Sequence, residues 1–254
     1  MSKLPKENQF IDLSDYGRKG AQWIVNALKH TSITPIDLTT SFIISGLLAI
    51  VAILNGYYIC AALLLILKSI LDAADGEMSR VKQTPSYVGR YYDSIADILL
   101  NFLFLLSIWH ISDSSFLLML IAFIGIQLQG TLYNYYYVIL RNSVRGDTTS
   151  RIFEDCPPKA MKGEKQSTVN LFFHIYNTLY IIFDKSIYYM DRNARYSPPF
   201  PSWYMTLLST YGLGFQLLIM ALLLALGWQT YIIPFFIAYS GFIALYIGIR
   251  RWVL

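Results

Sequence analysis

Four aspartates stand close together in an otherwise strongly apolar part of the chain: Asp72, Asp75, Asp93 and Asp97. Their separations along the chain are three, eighteen and four residues. Side chains three or four residues apart lie on one face of a helix. Two such pairs on neighbouring helices would therefore point four carboxylates at a common point.

This acidic quartet predicts a site for two divalent cations. Ionised carboxylates near lipid are unfavourable unless something pairs with them, and the sequence offers no cluster of Lys or Arg that would neutralise all four. Two divalent cations held by oxygen ligands would pair with all four carboxylates. Alternatively, the four carboxylates lie at the membrane boundary and are solvated by water, but their regular spacing disfavours this.

The composition is that of an integral membrane protein. Of the 254 residues, 55% are hydrophobic and 14% are charged, whereas a soluble domain carries about 25% charge. The mean hydropathy is +0.45. The N-terminus lacks the apolar core of a signal peptide, and Cys60 and Cys156 make no disulfide framework. A net charge of +4 is modest and by itself indicates nothing about nucleic acid; we expect no nucleic-acid partner.

Hydropathy predicts an all-α membrane protein with six transmembrane helices, each of about 20 residues. The candidate spans are 38–54, 57–80, 88–111, 115–140, 205–226 and 230–249. They make up one membrane domain, residues 38–254, preceded by a segment, 1–37, that holds an amphipathic surface helix over 14–29. The apolar side of that helix would consist of Trp23, Ile24, Val25 and Leu28.

Lys and Arg are concentrated on one side of this predicted topology. They flank the acidic quartet and both ends of the chain, while the three connections expected on the other side carry none. The asymmetry predicts a multi-pass protein of the cell membrane with both termini and the acidic site in the cytoplasm. A crossing by residues 166–190 would place Arg250 and Arg251 outside, so we interpret this segment as interfacial or re-entrant.

Small residues and one arginine accompany the carboxylates. Gly76 and Ser79 share the face of Asp72 and leave room for a ligand, and Arg80 at its edge could meet a phosphate. Ser86 and Gly89 lie on the side of the second pair. Alternatively, Arg80 is a topology-setting charge, Ser86 a helix N-cap and Gly89 an aid to helix packing.

The combined pattern resembles the signature of the CDP-alcohol phosphatidyltransferase family. It reads Asp72-x2-Asp75-Gly76-x2-Ser79-Arg80-x8-Gly89-x3-Asp93-x3-Asp97. The family's usual residue at the position of Ser79 is Ala, and every other signature position matches. Residues 34–39, Thr-Pro-Ile-Asp-Leu-Thr, resemble the start of the family's first span, and the family likewise has six spans preceded by a surface helix.

The resemblance implies an enzyme that transfers a phosphatidyl group from CDP-diacylglycerol to a small polar alcohol and releases CMP. It implies two Mg²⁺ or Mn²⁺ ions held by Asp72, Asp75, Asp93 and Asp97, with Asp97 also serving as base. The residues that match donor-contacting positions of the family are Thr39, Asp72, Gly76, Ser79, Arg80, Ser86 and Gly89.

The sequence does not identify the alcohol that accepts the phosphatidyl group. Basic residues after the fourth span, Arg141 and Arg145, lie where the family's acceptor pocket is commonly found, although they could equally set the topology. Tyr133 and Asn134, like Gln127 and Gln129, are polar at lipid depth and would face the interior of the bundle, lining that pocket or bonding a neighbouring helix.

Other functions remain open at this point. One is a CDP-choline or CDP-ethanolamine:diacylglycerol phosphotransferase, which the signature does not separate from the first assignment. A cation transporter would place its carboxylates nearer the midplane and show repeats, and a non-catalytic lipid-binding scaffold would not need the intact quartet. Family members are often dimers, so a homodimer is also open.

Overall fold

The computed structural model describes residues 4–144 and 154–253. Within these ranges the regular structure is helical. Short 3₁₀ turns lie at Lys6–Asn8, Leu13–Asp15, Arg192–Tyr196, Ser209–Tyr211 and Gln229–Tyr231. The α-helices are α1 (Arg18–Leu28), α2 (Pro35–Leu54), α3 (Tyr58–Lys82), α4 (Tyr87–His110), α5 (Phe116–Ser143), α6 (Gln166–Met190), α7 (Ser202–Leu208), α8 (Leu213–Ala225), α9 (Ile232–Ser240) and α10 (Phe242–Val253).

Helix α2 begins and ends with strong local signals. The Thr34 hydroxyl accepts from the backbone amide of Asp37, whose carboxylate accepts from the Thr34 amide at 2.7 Å. This reciprocal capping box, with Pro35 in the first turn, defines the start of the helix. At the other end Gly56 has φ +77°, a conformation that suits glycine. The chain therefore reverses directly from α2 into α3.

The connection between α3 and α4 is short and well defined. Gln83 ends α3 in the left-handed region, with φ 53°, and Ser86 caps α4 by accepting from the Gly89 amide at 2.8 Å. Asp72 and Asp75 lie in the second half of α3, and Asp93 lies in the second turn of α4. Because the connection is tight, these side chains come to the same end of the bundle.

The main hydrophobic core holds the long helices together. It contains buried residues of α2, α3, α4, α5, α8 and α9, among them Phe42, Leu65, Phe104, Leu217 and Phe236. Residues of α2 and α4 pack at very short range around Gly46. Since exposed Leu, Ile and Val side chains surround this core, the exterior of the bundle is also apolar, as a membrane-embedded protein requires.

Four stretches are long and apolar enough to cross a membrane: Pro35–Leu54, Tyr87–His110, Phe116–Ser143 and Gln229–Val253. A fifth consists of Ser202–Tyr211 and Leu213–Ala225, which meet at a bend of 53°. The all-helical membrane class is therefore confirmed. The count of six stays a prediction, because the second half of α3 carries too many charged residues to qualify by composition.

The N-terminal helix forms over a shorter range than expected, and its packed side differs. Helix α1 packs Ala21 and Val25 against α3, with Ile24 and Leu28 beside them. Trp23 is 75% exposed and lies on the opposite side. The expectation for Trp23 was wrong because it points about 200° around the helix from Ala21 at 100° per residue.

Helix α6 lies across one end of the bundle. Phe173 contacts Tyr91 in the first turns of α4, and the Tyr180 hydroxyl donates to the Ser94 carbonyl at 2.7 Å. Asp191, directly after α6, accepts hydrogen bonds from Tyr136 of α5 and Arg250 of α10. Helix α6 is absent from the helices that qualify as spans within the described ranges, and its path agrees with the interfacial interpretation.

Candidate metal and substrate site

Three carboxylates converge where the end of α3 meets the start of α4. Oxygen atoms of Asp72, Asp75 and Asp93 all lie within 4.8 Å of one another. The sequence pattern predicts from helical spacing that these three carboxylates and Asp97 point at a common place. Three carboxylates at this separation repel one another, so the arrangement is suited to binding a cation.

A hydroxyl from α2 holds one of these carboxylates in place. Thr39 is 2% exposed, and its Oγ1 donates to Oδ2 of Asp75 at 2.6 Å. Asp75 itself is 8% exposed. A short hydrogen bond to a charged acceptor fixes the side-chain orientation, so Thr39 contributes to the site by orienting Asp75.

The donor set fits a divalent cation such as Mg²⁺ or Mn²⁺. It consists of carboxylate oxygens, the ligands that hard cations prefer. Oδ1 of Asp93 is buried and has no hydrogen-bond partner among the described residues. A buried acceptor without a partner is unfavourable, and a bound cation would satisfy it.

Asp97 pairs with a buried lysine that also contacts one member of this trio. Nζ of Lys68 lies 2.5 Å from Oδ1 of Asp97 and 2.8 Å from Oδ2 of Asp72. The Lys68 side chain is 1% exposed, and its ammonium sits 4.4 Å from the centre of the Phe42 ring. Sequence reasoning missed Lys68, although a lysine four residues before Asp72 in an apolar helix was a usable signal.

The predicted donor-contacting residues at the end of α3 lie beside the trio. Arg80 reaches back over Gly76, where its Nη1 would lie 3.5 Å from an added Cβ. Its Nη2 donates to Oε2 of Glu77 at 2.8 Å. Ser79 donates to the Thr84 carbonyl at 3.1 Å and thereby stabilises the end of the helix. A role of these residues toward a nucleotide stays a prediction.

Ser86 and Gly89 form the N-terminal cap of α4, as one of the two interpretations of Ser86 expected. Glu164, missed by sequence reasoning, accepts from the Ser86 hydroxyl at 2.7 Å and from the Val88 amide at 2.8 Å. Burial alone would raise the pKa of Glu164, but these hydrogen bonds lower it below its usual value. An acidic side chain at a helix N-terminus is favourable.

Of the candidate acceptor residues that the structure describes, Tyr133 and Arg141 lie against the same ring, that of Tyr137, and Asn134 does not face the interior. Arg141 is buried, with its guanidinium 5.1 Å from the Tyr137 ring, and Tyr133 donates to Oδ2 of Asp12 at 2.6 Å. Asn134 is exposed, so the expectation that it faces the interior was wrong. It lies on the outer side of α5, which the polar residue type alone does not reveal. Arg145 lies outside the described residues.

Two glutamines of α5 do face the interior, as expected. Gln129 is fully buried and donates to Oγ of Ser240 at 2.9 Å, and Gln216 donates to its side-chain oxygen at 3.1 Å. Gln127 is 6% exposed. These contacts join α5 to α8 and α9 rather than line the acidic site, which favours the helix-bonding alternative for Gln129.

A cavity of about 410 Å³ lies between the N-terminal segment and the end of α5. Its wall combines acidic, basic and aromatic side chains, namely Leu4, Gln9, Phe10, Asp12, Asp15, Arg18, Gln22 and Tyr137. Tyr137 stacks on Tyr133 at 5.7 Å and carries Arg141 on its ring. The cavity therefore adjoins two of the predicted acceptor residues.

These features define a helical membrane protein with a carboxylate site for divalent cations at one end of its bundle. The family model for CDP-alcohol phosphatidyltransferase matches residues 33–191, which is well over half of the chain. The chain belongs to the CDP-alcohol phosphatidyltransferase family. A search of curated proteins found no match.

Membership establishes the general chemistry. The family consists of transferases of phospholipid biosynthesis that move a phosphatidyl group from a CDP-alcohol, and it is known for the use of divalent metals. The matched region begins just before α2 and ends at Asp191, directly after α6. It contains the three converging carboxylates, Lys68 and Glu164, whereas most of the cavity wall lies before it.

Proposed function

We propose that this protein transfers the phosphatidyl group of CDP-diacylglycerol to the hydroxyl of a small polar alcohol and releases CMP. The convergence of Asp72, Asp75 and Asp93 inside the family region carries the proposal. These residues would hold two divalent cations together with Asp97. When bound, such cations neutralise charge on the diphosphate and on the departing CMP.

The chain's own residues would bind and orient the reactants. Thr39 keeps Asp75 directed at the site through its 2.6 Å hydrogen bond. Gly76 has no side chain, so a diphosphate could approach the backbone of α3 closely. Arg80 is 28% exposed in its side chain, and it could extend from Glu77 toward a phosphate. Such placement of donor and acceptor lowers the barrier of a bimolecular reaction.

Asp97 would accept the proton of the alcohol. The alcohol oxygen forms a bond to the phosphorus on the lipid side, and the bond from that phosphorus to the bridging oxygen breaks. CMP departs with the bridging oxygen, and the alcohol proton moves to the carboxylate of Asp97. Lys68 contacts one oxygen of this carboxylate, Oδ1, and the side chain keeps 16% exposure toward the site.

The direct test measures CMP release by the purified full-length chain in lipid nanodiscs. CDP-diacylglycerol is supplied with a panel of alcohols, including serine, glycerol phosphate, inositol and inositol phosphate, with Mg²⁺ or with EDTA. We expect metal-dependent CMP release with at least one alcohol. Asp93→Asn should abolish it, while Asp113→Asn, an exposed carboxylate outside the site, should leave it unchanged.

Two outcomes would contradict the proposal. CMP release from CDP-choline with diacylglycerol, but not from CDP-diacylglycerol, would assign the chain to the other donor type. No CMP from any donor, together with metal-ion uptake into proteoliposomes, would support transport instead.

We also propose that the acidic site faces the cytoplasm, on the basis of the Lys and Arg asymmetry. The chain provides its own probe, because Cys156 is free, exposed and two residues from Glu154, which pairs with Arg90 at the start of α4. In intact cells a membrane-impermeant maleimide should label Cys156 of a Cys60→Ser variant only after lysis. Labelling from outside would reverse the orientation.

A further inference from the structure

Lys68 places a buried amine in direct contact with the acidic site. It is among the largest fully buried side chains of the described structure, in a helix that is apolar over the preceding turns. A buried lysine is unfavourable unless carboxylates pair with it. Its two partners come from different helices, Asp72 from α3 and Asp97 from α4.

Lys68 connects Asp97 to one member of the trio, Asp72. Asp72, Asp75 and Asp93 approach within 4.8 Å of one another, whereas Asp97 is bound to the ammonium at 2.5 Å. Contact with the face of Phe42 restricts the ammonium further. Asp97 is thereby held by a protein cation, and Asp72 is shared between that cation and the trio.

We propose that Lys68 is a positioning residue that fixes the orientation of Asp97 and weakens divalent-cation binding at the trio. The inference rests on the proposed function for its effect on turnover, because Asp97 is the proposed proton acceptor. Its effect on cation binding follows from charge alone, since a fixed positive charge in contact with Asp72 opposes a second cation nearby.

A structural role is the competing explanation. The lysine could simply tie α3 to α4, in which case its removal would lower stability and leave the cation affinity unchanged or reduced. The two explanations predict opposite changes in cation affinity when Lys68 is replaced. If Lys68 positions Asp97 and reduces the negative potential, a neutral residue of similar size should bind cations more tightly and turn over more slowly.

The experiment measures Mn²⁺ binding by electron paramagnetic resonance of the free ion, with the detergent-purified full-length chain. We expect Lys68→Met to bind Mn²⁺ at least about tenfold more tightly than the unmodified protein, and to lose most of its CMP release through kcat. Lys68→Arg keeps the charge and should keep the Mn²⁺ affinity within about threefold, with partial activity.

Lys82→Met is the matched control. Lys82 lies on the same helix and donates to the carbonyls of Thr31 and Ile33 at 2.8 and 2.6 Å. Its loss changes the net charge by the same amount, away from the acidic site. We expect Mn²⁺ affinity to change by less than about twofold, because charges far from the site are screened.

The double variant Lys68→Met/Asp97→Asn tests the pairing itself. It removes one positive charge, one negative charge and one proposed cation ligand, so its Mn²⁺ affinity should fall below that of Lys68→Met. Asp97→Asn alone should bind Mn²⁺ less tightly than the double variant. This second comparison decides the matter even if Lys68→Met alone does not fold, because in the double variant only Asp72 loses the cationic partner that Lys68 provides.

An Mn²⁺ affinity of Lys68→Met equal to or weaker than that of the unmodified protein would overturn the proposal. Equal affinities of Asp97→Asn and the double variant would overturn it as well. Neither readout needs catalysis. If the binding shifts appeared but no donor yielded CMP, the proposed transferase function would fail while the electrostatic role of Lys68 stood.

Discussion

Gly76→Ala should inactivate the protein without destabilising it. A Cβ added at residue 76 would meet Nη1 of Arg80 at 3.5 Å as its nearest neighbour, an ordinary van der Waals contact with a flexible side chain. Ala is favoured over Gly in a helix interior by about 0.5–1 kcal/mol. The fold therefore has no need of glycine here, and we attribute the residue to the close approach of the donor.

Gly46→Ala supplies the opposite case. A Cβ there would lie 2.9 Å from both Cδ atoms of Leu100 and 3.3 Å from Cζ of Phe104, all inside the packed core. Overpacking of this kind costs about 1–3 kcal/mol, which outweighs the gain in helix propensity. We expect a lower melting temperature for Gly46→Ala and an equal or higher one for Gly76→Ala.

The assay pairs thermal unfolding with CMP release for both variants. At a tenfold rate change per 1.4 kcal/mol, loss of two hydrogen bonds between the donor phosphates and the protein would reduce kcat/KM by about 100-fold in Gly76→Ala. Nearly full activity of Gly76→Ala would refute the close approach of the donor at this residue. A large drop in the melting temperature of Gly76→Ala would refute the statement that the fold has room for a Cβ at residue 76.

Three further predictions concern the surroundings of the trio. Thr39→Val removes the hydroxyl that holds Asp75 and should weaken Mg²⁺ binding about 10- to 100-fold, measured by metal titration of activity; unchanged affinity would contradict the role. Asp93→Asn should abolish turnover and reduce the Mg²⁺-dependent rise in melting temperature, and normal turnover would rule out the assignment. Glu164→Gln should lower the melting temperature at neutral pH. Because the folded pKa of Glu164 is lowered from 4.5, its contribution is present above pH 4.5 and is lost as the pH falls through the folded value, so the two melting curves should converge in acid; a constant difference would argue against it.

The site could be predicted from sequence to the extent that it depends on helical periodicity. Spacings of three and four residues identified the faces of α3 and α4 that carry Asp72, Asp75 and Asp93. The first four predicted spans lie within a few residues of α2 to α5, because long apolar runs bounded by Thr34, Gly56 and Ser86 have few alternatives. Each of the last two, 205–226 and 230–249, is divided in the structure into separate helices.

Contacts between residues far apart in the chain cannot be predicted from local spacing. Glu164 reaches Ser86 from 78 positions away, and no local pattern announces such a contact. Lys68 belongs to no basic cluster in the sequence, yet this one buried side chain between two helices pairs with two carboxylates. Trp23 and Asn134 were placed by residue type, but their orientation depends on which neighbour each helix packs against.

The acidic trio shows why this end of the bundle departs from ordinary packing. Bringing three carboxylates within 4.8 Å and leaving Oδ1 of Asp93 buried without a partner among the described residues are both unfavourable for folding. Lys68 offsets part of this electrostatic repulsion through Asp72 and Asp97, and Thr39 offsets another part through Asp75. The remainder stays available for cations, since full neutralisation by protein groups would leave nothing for a cation to bind. Functional sites often leave buried polar atoms without hydrogen-bond partners while the surrounding core does not. Here that atom is Oδ1 of Asp93, and we expect replacement of Asp93 to abolish activity.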